Sequence, residues 1–279
     1  MATEPILFFD DLMHASKSGI SLTVSSTKVG YNKDNVRDTN LATAWAPADS
    51  AIDEWIECDH TPDTLFGGNS ENVWHALAYD ARGVNQALLK VQSFDGTSWA
   101  DALSHTLEKT GVGCFYGEVV GGNPAYTKWR LMQASADRSG GNVMAKVFSW
   151  AIFDKDRVYR VGVSPYAAEG HGPHSMTNFY RVGSVETSGG HMATNKYGES
   201  GQEFELTFRP AAYSFWKDLR DRFHEYAGAN RAIYIRKDGL RNPAQADFFL
   251  CRLVDVIEGS FFMQNVVLTA VRFRTEAWV

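Results

Sequence analysis

The chain has 279 residues, 44% of them hydrophobic and 22% charged, a length that suits two domains of roughly 120–150 residues better than one. Twenty-seven basic against thirty-three acidic residues give a formal net charge of −6, the opposite bias from a protein built to grip phosphate backbones, so nucleic acid is not the expected partner. No stretch approaches the ~20 consecutive apolar residues of a membrane-spanning helix, and the opening MATEPILFFDDLMHASKSG, without a basic leader and interrupted at Asp10 and Asp11, does not read as a secretory signal.

Residues 1–19 read either as an arm, whose Ile6, Leu7, Phe8 and Phe9 would dock on an adjacent subunit, or as the first strand of their own domain. Residues 20–155 form a β domain that closes on the apolar run Val147–Phe153. A boundary falls near Asp154–Asp156. Beyond it, residues 156–279 change character, with a loop at Ser164–His174 and a Gly-rich stretch at Ser188–Gly201 that favours a flexible arm. Glu203–Arg209 alternates as a half-buried strand should, with Phe204, Leu206 and Phe208 on one face. Ala211–Ala227 carries the clearest helical period: Phe215, Trp216, Leu219, Phe223 and Tyr226 make one stripe between Pro210 and Gly228. Ala232–Arg236, Phe248–Val256 and Phe262–Arg274 are further strands. The strings YRVGVS and YRVGSV (Tyr159–Ser164 and Tyr180–Val185) are too short to mark a duplication. The class is mainly β.

The three cysteines, Cys58, Cys114 and Cys251, have no metal-type or redox-type spacing and read as small buried hydrophobes in a chain made in a reducing compartment. No nucleophile elbow, phosphate loop or zinc-protease signature is present. Glu169, His171 and His174, with His191 beyond, lie in a Gly/Pro loop without a rigid element to fix metal geometry. Asp53, Glu54 and Glu57 cluster beside Trp55, but Asp53 and Glu57 flank a strand whose alternate side chains diverge, whereas glycoside cleavage needs two carboxyls facing one cleft. No enzyme is expected.

Ser25–Trp45 (SSTKVGYNKDNVRDTNLATAW), the strand EWIECD at Glu54–Asp59, the hairpin VQSFDGTSW at Val91–Trp99, the strand WRL at Trp129–Leu131 and the closing Val147–Phe153 follow one another as they do in discoidin (coagulation-factor type C) domains. The N-terminal half thus resembles that galactose-binding-like family, which implies a jelly-roll β-sandwich. Trp45, Trp55 and Trp99 are assigned mainly to its core, with ligand stacking as the alternative. The resemblance implies a structural Ca²⁺ in the loop of Asp38, Asn40 and Thr43, although the family's Gly is Thr39 here and its last-strand acidic residue is missing; turn capping by the same side chains is the alternative. It also implies a glycan site among apical loops, where Phe66, Asn69, Asn72, Arg138 and Asn142 supply an aromatic face and polar donors.

Asp80–Gln92 and the C-terminal order of strand, loop, strand, amphipathic helix and long strands are similar to modules of tailed-phage distal-tail and tail-tube-like proteins. This second resemblance implies a second β-sandwich or barrel module, a homo-oligomeric ring in contact with tail tube and hub, and a virion protein assembled in the host cytoplasm. The expected function is therefore a structural component of a tail tip or baseplate, with host-surface carbohydrate as a further partner and no required cofactor. The alternatives are a free-standing carbohydrate-binding lectin and an accessory glycan-binding module.

Overall fold

The structure is a computed structural model that describes residues 6–8, 10–48, 53–60, 72–82, 88–107, 112–119, 128–133, 145–154, 157–160, 171–179, 182–186, 192–196, 201–208, 211–214, 216–217, 220–221, 232–236, 248–253, 258–264 and 266–275. The protein is mainly β. Its strands are β1 (Ile6–Phe8), β2 (Ser21–Val24), β3 (Glu54–Asp59), β4 (Val73–Asp80), β5 (Leu88–Phe94), β6 (Trp99–Thr106), β7 (Val112–Val119), β8 (Lys128–Gln133), β9 (Lys146–Phe153) and β10 (Val158–Arg160). There follow β11 (His171–Phe179), β12 (Val182–Glu186), β13 (Met192–Lys196), β14 (Gly201–Phe208), β15 (Ala211–Ala212), β16 (Ala232–Arg236), β17 (Phe248–Leu253), β18 (Glu258–Met263) and β19 (Val266–Thr275). The chain divides into two compact units: Phe8–Tyr159 with Leu240–Phe248, and Met1–Leu7 with Arg160–Gly239 and Phe249–Val279. Neither unit is one uninterrupted run of sequence.

The first unit is a β-sandwich. One antiparallel sheet has the order β2-β3-β8-β5-β6 and the other the order β7-β4-β9. Between them lies one core that includes Leu22, Val36, Trp45, Ile56, Cys58, Leu77, Tyr79, Leu89, Val91, Trp129, Leu131, Val147, Trp150 and Ile152. Period-2 alternation builds the larger sheet: in EWIECD, Glu54, Ile56 and Cys58 face in, while Trp55, Glu57 and Asp59 are only partly covered. Trp45 is a core residue, as expected, and exchanges two backbone hydrogen bonds with Val147. The expected Asp-Gly hairpin joins β5 to β6: Gly96 takes φ +98°, and Asp95 Oδ1 accepts from the Thr97 and Ser98 amides, each at 2.7 Å.

Strands β4 and β9 are buried along nearly their whole length, so their outer face is covered as well. Phe8 supplies part of that cover, packing at ring-centroid distances of 5.5–5.9 Å on Phe153, Phe248 and Tyr116. Asp11 stitches the same segment down: its Oδ1 accepts from the Met13 amide at 2.8 Å and from the Ile152 amide of β9 at 3.0 Å. Ile6–Phe8 is thus a strand in which Leu7 and Phe8 are fully buried.

In the second unit the strand order β16-β17-β19-β14-β11 is antiparallel wherever register is described, with β15 and β18 also paired to β19. Four expectations need correction. The Gly-rich stretch contains a strand, because Met192–Lys196 zips onto Val182–Glu186 in a two-stranded ribbon. The expected loop ends early, with His171 and His174 already in β11 opposite Phe208 and Leu206. Phe262–Arg274 is not one strand: a turn at Gln264 folds β18 back on β19, so the long apolar run is a hairpin. The helix expected from Ala211 begins after Ala212, because Ala211 and Ala212 pair with Val267 and Val266 before Tyr213 turns helical.

Candidate functional site

The outer face of the five-stranded sheet, not a loop cluster, gathers the most distinctive set of side chains. Strand register places Glu57, Arg130, Gln92 and Asp101 in one cross-strand row, from β3 through β8 and β5 to β6. Trp55 lies one step to one side of this row on β3, opposite Met132 of β8. Trp99 lies on the other side, at the start of β6, opposite Phe94. Both indoles are half-buried, and neither belongs to the sandwich core. The assignment of Trp55 and Trp99 to the core is therefore corrected: Trp55 shares the outward parity of Glu57 and Asp59, Trp99 lies with Asp101 before the β5–β6 register shift, and only Trp45 of the three points in.

Arg130 links the two rings. Its guanidinium carbon sits 4.4 Å from the Trp99 ring centroid and 5.8 Å from that of Trp55, within reach of cation–π attraction. Phe94 supports Trp99 at 5.1 Å. Arg130 Nε and Nη2 both donate to Gln92 Oε1, at 2.8 and 2.6 Å. The amide nitrogen of Gln92 donates to Asp101 Oδ1 at 2.6 Å, which fixes which way the amide is turned. Lys90 pairs with Asp101 at 3.4 Å, and Lys128 pairs with Asp59 at 2.8 Å and with Glu57 at 3.8 Å. The bond to Asp59 raises the Lys128 pKa above its ordinary value. Burial between the rings lowers that of Arg130, against the pull of Glu57, Asp53 and Asp101. Asp53 and Glu57 therefore share the Arg130 side of β3. It is Glu54 that diverges, fully buried, where Ser25 and Ser26 donate to its carboxylate. Such a face can stack flat apolar surface and offer planar, paired hydrogen-bonding groups beside it.

Of the residues expected to bind glycan, Phe66, Asn69, Arg138 and Asn142 lie outside the described residues. Asn72 is described and donates to Glu118 Oε1. The residues expected to hold Ca²⁺ do come together, but each oxygen already serves the loop. Asp38 Oδ1 accepts from the Asn40 amide at 2.8 Å, and Asp38 Oδ2 accepts from the Thr43 hydroxyl at 2.7 Å. Asn40 Oδ1 accepts from the Ala42 amide at 3.0 Å. Thr39, where the discoidin pattern has Gly, adopts φ +53° and is buried. As arranged, these side chains cap their own turn. Among the described residues no group of three or more His, Cys, Asp or Glu side chains is placed to hold one.

A second titratable cluster is sealed inside the sandwich. His75 lies 4.4 Å from Trp129 and 6.2 Å from Trp150, and accepts from Trp150 Nε1 at 3.3 Å. Burial lowers its pKa to about 3. His60 stands 3.1 Å from the Cys58 sulfur, and burial lowers its pKa to about 4. The same burial pushes the Cys58 thiol well up, so neither a thiolate nor an imidazolium is available for chemistry there. All three cysteines are free and buried.

No protein-family model matches the chain, and no curated protein matches it. Among solved structures, it is similar to chitosan-binding module 1 of a chitosanase/glucanase from Paenibacillus sp. IK-5, with 17% identity, TM-score 0.36, and coverage of 52% of this chain and 98% of that one. Module 2 of the same enzyme, in complex with chitotriose, gives 15% identity, TM-score 0.34, and coverage of 48% and 96%. The family 32 carbohydrate-binding module of NanJ from Clostridium perfringens, in complex with galactose, gives 12% identity, TM-score 0.35, and coverage of 49% and 95%.

Proposed function

We propose that the protein is a non-enzymatic recognition protein whose sandwich binds carbohydrate on the outer face of its five-stranded sheet. The observation that carries this reading is the Trp55–Arg130–Trp99 array beside the Gln92 amide. A sugar ring offers an apolar C–H face to an indole and a rim of hydroxyls to planar amide, guanidinium and carboxylate groups, and this face carries both kinds of partner side by side. The groups are held in place before any ligand arrives, by cross-strand packing and by the Asp101–Gln92–Arg130 chain of hydrogen bonds, which lowers the entropy cost of binding. Glycan-array binding followed by titration calorimetry on the whole protein tests it. Replacing Trp55 or Trp99 by Ala should each weaken binding by roughly tenfold or more, with the melting temperature little changed because neither ring fills the core. Binding that survives both substitutions would refute the reading.

A second reading concerns the other unit: self-assembly into a ring at a phage tail tip or baseplate, against tail tube and hub, with the sandwich contacting host-surface glycan. Two observations favour it. The β12–β13 ribbon pairs with no other described strand, and two-stranded ribbons are marginal by themselves. Strand β11 ends the sheet path with its outer edge unpaired among the described residues, and a closed ring would cover such edges without open-ended growth. Light scattering on the purified chain, alone and with tail-tube protein, tests this: a monomer under both conditions would reject it. In that setting the protein would be made in the host cytoplasm and reside in the virion tail.

A further inference from the structure

We infer that the ligand of this face is an acidic glycan, held through a sugar carboxylate by the open edge of Arg130. This rests on the carbohydrate reading above and narrows it. A guanidinium has two hydrogen-bonding edges suited to a two-pronged acceptor. The Nε edge of Arg130 is taken by Gln92 Oε1. That partner is neutral, and because Gln92 gives its own amide protons to Asp101, it satisfies geometry without supplying charge. Among the described residues no carboxylate makes an ion pair with Arg130, and the edge formed by Nη1 and Nη2 has no protein acceptor.

The two lysines of the face already have contact partners. Lys128 is shared by Asp59 and Glu57, and Lys90 sits on Asp101. Among the described residues Arg130 has no contact counter-ion, and it is partly desolvated between two indoles, where a charge-assisted bond is stronger than at an open surface. A carboxylate arriving at its open edge supplies the charged, bidentate partner that Gln92 does not. A uronic acid provides that carboxylate on a ring whose C–H face can lie on Trp55 or Trp99, so the same contact satisfies both halves of the site. A neutral sugar would take the stacking but offer no two-pronged charged acceptor to the guanidinium edge.

Calorimetry and affinity electrophoresis of the whole protein should use polygalacturonate, alginate and hyaluronate, each beside its methyl-esterified form. The expected result is affinity for at least one acidic polymer roughly tenfold or more above that of its ester. Arg130→Gln should abolish that difference while keeping the weaker binding of the ester. Arg130→Lys, which keeps the charge but not the fork, should retain only part of it, and it provides the same comparison if the Gln variant fails to fold. Equal binding of acid and ester, or binding of neutral glycans alone, overturns the acidic-ligand inference and leaves the carbohydrate reading in place. Binding of no polymer in this set and of no glycan on the array overturns both.

Discussion

Asp11 offers a measurable link between the packing of the N-terminal segment and stability. Its carboxyl is 2% exposed, and burial raises its pKa from 3.8 to about 7, against the lowering effect of the Ile152 and Met13 amides and of Arg37. A carboxyl whose folded pKa lies above its unfolded value favours the folded state most when protonated. That contribution is fully present below pH 3.8 and is lost as the pH rises through about 7. The interval of some three pKa units corresponds to about 4 kcal/mol. Asp11→Asn keeps an Oδ1 acceptor for the two amides but cannot ionise. The variant should match the wild type near pH 3.5 and exceed it by up to about 4 kcal/mol at pH 8. Urea unfolding followed by Trp fluorescence between pH 3.5 and 8 reads the difference directly. The buried His60, His75 and His105, with pKa values lowered by burial to about 4, 3 and 4, act in the opposite direction, because their contribution is present above pH 6.5 and is lost on acidification. They are common to both proteins and cancel in the difference. A difference that stays flat across the range would refute the assignment of a buried, strained carboxylate.

Three further outcomes are open to measurement. Gly113→Ala should destabilise the sandwich by about 1–3 kcal/mol, since an added Cβ would stand 2.6 Å from the Tyr79 hydroxyl, whose ring is fully buried and bonded to His105 at 3.0 Å; an unchanged melting temperature would contradict this. Ser26→Ala removes a 2.6 Å donor from the buried Glu54 carboxylate and should cost about 1–3 kcal/mol in urea unfolding; an unchanged midpoint would contradict this. Asp38→Ala should lower the melting temperature by the same amount with added Ca²⁺ as with chelator, because Asp38 caps its own turn; a Ca²⁺-dependent shift in the wild type alone would show that the loop rearranges to take a metal.

The sandwich was readable because its landmarks are local: alternation in EWIECD, an Asp-Gly turn, and a closing apolar strand. The outward faces of β3 and β8 were readable too, by parity. Trp55 alternates in step with Glu57 and Asp59, and Arg130 with Lys128, so in each strand the aromatic or cationic residue shares the polar face. The bulk and apolarity of an indole, which suit a core equally well, mask that signal. What no local pattern conveys is pairing across distant sequence. Glu54 sits on the apolar face only because Ser25 and Ser26 meet it there. The Gly-rich stretch becomes a strand because Val182–Glu186 lies alongside Met192–Lys196, and Ala211 and Ala212 are held extended by Val267 and Val266. In each case a partner far along the chain, or in another element, outweighs intrinsic propensity.

The division of the chain also sets a timetable for its synthesis. Met1–Leu7 belongs with Arg160–Gly239, yet the whole of Phe8–Tyr159 must leave the ribosome between them. At about 5–20 residues per second that interval lasts roughly 8–30 s. During it most of the sandwich can close on itself, while the first residues wait without their own unit. An early, apolar, unpaired strand is a hazard for any nascent chain. Here its last residue, Phe8, finds its seat on Phe153 and Tyr116, residues made within that same interval.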